Sequence, residues 1–158
     1  MSIFDIDQYL STTTTEAAEK RDNLPTDREY NAEIGEVTGR AVQGKKDATQ
    51  TYLFFDFPMT IYLKDEYPDI ATKVGIDKLS LKYGVSIDLT EGGAIDWSKG
   101  RNNGLRILRE ATGMNVAGQP FNPKMLIGHR VKVQLKLREY PEGSGNLLED
   151  VRSVAKAS

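Results

Sequence analysis

Not one cysteine occurs in the 158 residues, and histidine occurs once, at His129. The first absence excludes disulfides, thiolate zinc sites and cysteine nucleophiles, and it fits a reducing cytoplasm. The second leaves no multi-histidine metal site and no histidine-rich nuclease centre. Gly-x-Ser-x-Gly is missing too, so His129 has no nucleophile elbow to serve. No run of about eighteen apolar residues is present, hence no membrane span is expected. The N-terminal MSIFDIDQYL is acidic and lacks a basic segment followed by an apolar one, which argues against a secretory signal. Asp88, Glu91 and Asp96 follow a strand and are of the type that holds Mg²⁺. The nearest cation of suitable parity, Lys82, lies six residues before Asp88, too far for one compact nuclease centre. No catalysis, metal or cofactor is expected.

Acidic residues are nearly missing from one stretch. Residues 99–138 carry nine Lys or Arg against one acid, Glu110, which gives +8 in a chain of net charge −2. An acidic mean therefore hides a basic segment. Clustered cations are the usual electrostatic footprint of a phosphate backbone; the bland alternative is a solvated face.

The length suits one domain with a real core. Residues 1–28 read as an arm and linker: an apolar cluster of Ile3, Phe4, Ile6, Tyr9 and Leu10, a polar tract of four threonines, then a charged tether. The first ten residues are expected to dock on the domain's own surface, with a partner chain as the alternative. Residues 29–158 form the domain. Within 30–42, Gly35 and Gly39 interrupt a strand and mark a bulge or bend. Residues 52–64 alternate as one bent strand or two, with Pro58 at an edge, bulge or turn. Residues 65–78 read as a loop with a helical turn. Residues 79–89 are the cleanest strand, and 102–112 a helix with Leu105, Leu108 and Ala111 on one stripe, stopped by Gly113. Residues 130–138 alternate again. The segment 147–154 is ambiguous: Leu147, Val151 and Val154 have helical spacing, yet its place after a turn favours a strand paired with 130–138.

Three strands, a helix, then two strands is the order of an OB-fold-like five-stranded barrel, mostly β, with its helix between strands 3 and 4. On that frame Val131, Val133, Leu135 and Leu137 face a core, and the strand period forces Arg130, Lys132, Lys136 and Arg138 onto one outer face. Protection of an edge strand needs one or two lysines; four cations point to a polyanion surface. By the same parity Tyr52, Phe54 and Tyr62 face outward, where exposed rings stack bases. For Phe54, burial under a cover is an equal alternative. The loop 92–103 joins glycines to Lys99 and Arg101 before a helix start, a setting that favours anions, although it does not match a P-loop. Trp97 is a stacking ring or a core cap. Arg106 and Arg109 read as a solvated helix face, with Glu110 as a local partner for Arg106. Lys82 completes the set of candidate backbone contacts.

The segment 89–113, read as LTEGGAIDWSKGRNNGLRILREATG, resembles small proteins encoded by tailed bacteriophages. So do the Gly118-Gln119-Pro120-Phe121 and Met125-Leu126-Ile127-Gly128 elements and the opening Phe4-Asp5-Ile6. Members of that group are mostly of unassigned function, and some are called single-stranded-DNA-binding. The resemblance implies a viral protein of replication or recombination, acting on single-stranded nucleic acid, DNA before RNA, in the host cytoplasm. The chain departs from common bacterial single-strand binders in ending VAKAS, without an acidic recruiting tip. A phage structural or host-factor-binding protein, anchored through residues 1–10 as an oligomer or to another protein, is the alternative.

Overall fold

The computed structural model describes residues 3–47 and 49–157, so residues 1 and 2 of the arm and residues 48 and 158 of the domain lie outside the described residues. Bulges and bends, more than strand count, decide the shape. After the short helix α1 (Ile6–Leu10) come β1 (Glu29–Ile34) and β2 (Thr38–Gln43), then the long β3 (Thr51–Ile61). Both β1 and β2 pair antiparallel with β3, one after the other: Ile34 faces Met59 and Thr38 faces Asp56. The register gains one residue between those pairs, so β1 and β2 are a single strand bulged at residues 35–37. Pro58 sits opposite that break. Its carbonyl accepts from the Gly35 amide at 2.7 Å, and its missing N–H faces the same interruption, where the ladder asks for no donor.

Two helices follow, α2 (Leu63–Glu66) and α3 (Pro68–Val74), where the sequence promised a loop with one helical turn. Pro68 opens α3 at a position where its absent N–H costs nothing, and Gly75, at φ 80°, closes it. Strand β4 (Leu79–Ile87) pairs with β3 over nearly its whole length. Helix α4 (Asn103–Ala111) lies between β4 and β5 (Arg130–Glu139), and buries Leu105, Leu108 and Ala111 as its stripe requires. The final segment is β6 (Leu147–Lys156), a strand paired with β5. Its helix-like spacing has a physical cause: the register shifts between Gln134 and Leu135, so Val133 faces Val154 while Leu135 faces Val151. One extra residue in β6 stretches the inward period from two to three.

The result is a mostly β molecule with a six-stranded antiparallel sheet in the order β2-β3-β1-β5-β6, with β4 on the other side of β3. The mostly β character expected from the sequence holds, but a closed five-stranded barrel with one helix is not what is seen: the sheet has six strands and four helices stand among the described residues. β4 and β6 approach each other, and α4 packs on both, without a hydrogen-bonded ladder between the two strands. The core gathers Tyr30, Ala32 and Ile34 of β1, Phe57, Met59 and Ile61 of β3, Val131, Val133 and Leu135 of β5, and the α4 stripe. Leu137, expected to face inward, is 40% exposed because β5 has run past the core by that point.

The arm divides in two. Leu24 is buried, its amide donating to Glu149 Oε2 at 2.9 Å, and Arg21 grips the same carboxylate with two bonds of 2.7 Å. By contrast, α1 buries nothing: Ile3, Phe4, Ile6, Tyr9 and Leu10 are each at least 57% exposed. The expected docking of these residues on their own domain does not occur. No helix of the described residues is long and apolar enough to cross a membrane.

Candidate nucleic-acid interface

The outer face of β2, β3 and β4 carries the most distinctive chemistry on the sheet. With Phe57, Met59 and Ile61 in the core, the strand period turns Tyr52, Phe54 and Asp56 outward. Cross-strand register places Val42 opposite Tyr52, Arg40 opposite Phe54 and Thr38 opposite Asp56 on one side. On the other side, Ser86 stands opposite Phe54, Gly84 opposite Asp56 and Lys82 opposite Pro58. Two aromatic rings therefore share this face with Arg40 beside Phe54 and Lys82 farther along β4.

Arg40 organises this face. Its guanidinium lies 4.6 Å from the Phe54 ring centroid, and its Nε donates to Asp56 Oδ2 at 2.8 Å. Phe54 is half-buried, and within the chain its cover is not the arm but the Arg40 guanidinium. Asp56 is buried, and its Oδ1 has no hydrogen-bond partner among the described residues. Gly84 makes room for it, since a Cβ there would stand 3.0 Å from Oδ1. A buried carboxylate gripped on one oxygen fixes the guanidinium plane over the ring, which prepares a flat, cationic stacking surface. Tyr52 is 46% exposed next to it and donates through its hydroxyl to Gln50 Oε1 at 3.2 Å. Lys45 and Lys46 of the connecting hairpin are exposed at this end. Sequence reasoning missed Arg40, because only the register of β2 with β3 brings it over Phe54.

Tyr62 does not join this platform. It lies ten residues beyond Tyr52, about 33 Å along an extended strand, where its hydroxyl donates to Glu33 Oε1 at 3.4 Å. Nor does the basic row of β5 form a bare cationic face. Arg130 meets Glu66 of α2 at 2.5 Å, Lys132 meets Glu29 of β1 at 3.7 Å, and Arg138 meets Asp150 of β6 at 3.3 Å. Lys136 faces Asp150 in register. The parity reading placed these four cations on one face, and each has an acid supplied by a neighbouring element. Such pairing is the ordinary way a sheet tolerates like charges in a row.

Trp97, Lys99 and Arg101 form a third group, beside α4. Trp97 is half-exposed, edge-on to Phe121 at 6.0 Å, and Arg109 lies over both rings, 4.4 Å from the Phe121 centroid and 5.7 Å from that of Trp97. The supposed solvated helix cation thus belongs to an aromatic cluster. The acids of the preceding turn are occupied in shaping it. Asp88 Oδ2 accepts from the Asn102 amide at 2.8 Å, and Asp96 accepts from the Ser98 amide and hydroxyl, which holds its carboxyl below the usual carboxylate range. Among the described residues no group of three His, Cys, Asp or Glu side chains is gathered for a metal.

These features define a mostly β protein whose antiparallel sheet presents an arginine-backed aromatic face. Compared with known proteins, the chain matches no family model and no curated sequence.

Proposed function

We propose that the chain is a non-catalytic, phage-type protein of OB-like topology that binds single-stranded nucleic acid, DNA before RNA, across the outer face of β2, β3 and β4. The single observation that carries this reading is Arg40 stacked on Phe54 beside the exposed ring of Tyr52. Exposed rings accept any base, and a guanidinium plane adds charge for phosphates and a second stacking surface. The topology supports the same place. If β1 and β2 count as one bent strand, then β3 and β4 are the second and third strands of an OB barrel, whose face and adjoining loops are the usual oligonucleotide surface. Tyr52, Phe54 and Arg40 stack bases; Lys82, Lys45 and Lys46 neutralise phosphates. The β5 row, with its built-in acids, plays a lesser part. Replication or recombination in the host cytoplasm is the setting this reading implies.

Fluorescence anisotropy with a labelled single strand and the matching duplex tests it. Salt-sensitive binding that prefers the single strand is the expected outcome. Absence of binding at low salt, or equal affinity for duplex, overturns it.

A second reading rests on α1. Five large apolar side chains left in water on a tether are a means of attachment, and they favour a phage structural or interaction protein that anchors through residues 3–10. Sedimentation of the full chain and of a variant lacking those residues separates the readings: a change of assembly state with unchanged oligonucleotide binding favours the anchor.

A further inference from the structure

A cavity of about 200 Å³ lies beside the N-terminal half of α4, away from the Arg40–Phe54 pair, and its walls include Lys99, Arg101, Arg106, Arg109 and Trp97. Four cations converge there. Two carboxylates stand close: Asp96 at 3.9 Å from Arg101 and Glu110 at 2.9 Å from Arg106. Lys99 has no carboxylate partner among the described residues, and the Arg109 guanidinium donates to the Met114 carbonyl at 3.2–3.3 Å. A third carboxylate, Asp88, accepts through Oδ2 from the Asn102 amide of the cavity wall at 2.8 Å, so four positive charges against three negative leave the cavity at +1. The cavity is too small for a drug-sized ligand, which needs roughly 300 Å³ or more, but ample for a phosphate with part of its sugar. At its rim stands an indole half open to solvent, already edge-packed on Phe121 and therefore fixed in orientation.

We propose that this cavity is a second site, which binds a nucleoside 5′-phosphate: the phosphate sits among Lys99, Arg101 and Arg106, and the base lies against Trp97. Arg109 braces the wall, because its guanidinium is already committed to Met114 and to the two rings. The phosphate meets fork-shaped donors that match its oxygens, and the ring selects for a nucleoside over a bare anion. The site stands independently of the sheet face, whose residues line no part of it.

Trp97 is the only tryptophan in the chain, so its fluorescence reports on this cavity alone. Titration with dAMP is expected to shift or quench that emission saturably, inorganic phosphate to compete, and deoxyadenosine to bind at least about tenfold more weakly. Lys99→Ala with Arg101→Ala, both on an exposed loop, is expected to weaken dAMP by at least about tenfold at an unchanged melting temperature. Arg40→Ala is expected to leave the dAMP response intact, which keeps failure here distinct from failure of the sheet face. An oligonucleotide bearing a 5′-phosphate that outbinds its 5′-hydroxyl counterpart assigns the ligand to a strand end; equal affinity with dAMP binding retained assigns it to a free nucleotide. No saturable response to millimolar dAMP, an equal response to deoxyadenosine, or an unchanged response in the double variant overturns the proposal.

Discussion

Arg40 is where several effects meet, and its removal separates them. Arg40→Ala strips the cation from Phe54 and leaves Asp56 as a buried carboxylate with no partner on either oxygen. Breaking a buried pair from one side costs about 3–5 kcal/mol when the orphan is fully enclosed, and less here because the arginine is 48% exposed and water reaches the gap. Arg40→Ala with Asp56→Asn is the cleaner probe: binding to single strands is expected to fall while the melting temperature recovers most of the loss. Tyr52→Ala is expected to reduce oligonucleotide affinity by about 1–3 kcal/mol with little effect on stability, because the ring is half in solvent. Titrations paired with thermal melts read both. A stability loss with intact affinity defeats the stacking role. Glu149 gives a separate, pH-linked test. Burial alone raises its pKa, but bonds from Arg21, Leu24 and Asn23 outweigh it and bring the carboxyl from 4.5 down to about 2. A depressed pKa means that its contribution is fully present above about pH 4.5 and is lost as pH falls toward 2. Melting temperature is expected to drop steeply over that window, and Glu149→Gln to start lower and show a shallower fall.

At the scale of elements, the β5 row predicts a small effect. Lys132→Ala with Lys136→Ala is expected to weaken binding less than Lys82→Ala with Lys45→Ala, because Glu29 and Asp150 already offset the former pair. Anisotropy titrations on both double variants decide the order, and the reverse order restores β5 as the binding surface. The contrast shows what a sequence of this kind discloses. Parity made the inward rows of β3, β4 and β5 legible, as it did the α4 stripe from Leu105 to Ala111. The strand character of 147–154 was masked by the extra residue in β6, which makes two inward residues, Val151 and Val154, look helical. Charge was the least legible property. Of the +8 counted along residues 99–138, the share carried by β5 is largely offset in space by Glu66, Glu29 and Asp150, which come from three other elements. Arg40 lay outside that segment altogether, and only the register with Phe54 gives it a role.

For the whole molecule, the number of phosphates engaged sets the response to salt. Arg40, Lys45, Lys46 and Lys82 make about four contacts, so log affinity is expected to fall against log salt with a slope of about −2.8. A slope near −6 requires the β5 row or the α4 cavity to join the same footprint. The described part of α1 buries nothing, so deletion of residues 3–10 is expected to leave thermal stability unchanged while Arg21→Ala lowers it, through release of Glu149. Differential scanning fluorimetry on the two variants checks this division of the arm.

The seam between β4 and β6 has a consequence for the molecule's fate outside the folded state. Two strand edges face each other there with no ladder, and α4 is the plug that keeps them from pairing with another chain. The plug fits because residue 104 is glycine: a Cβ at that point would come within 2.7 Å of Val85 Cγ1 and 2.9 Å of its Cβ, neither of which can swing aside. Gly104→Ala gains at most about 1 kcal/mol of helix propensity and meets an overpacking cost of about 1–3 kcal/mol, so the helix lifts off the sheet. Backbone amides along β4 are then expected to exchange faster with deuterium in Gly104→Ala, which hydrogen-exchange measurements check. One absent methyl group is therefore what lets α4 seat over both strand edges.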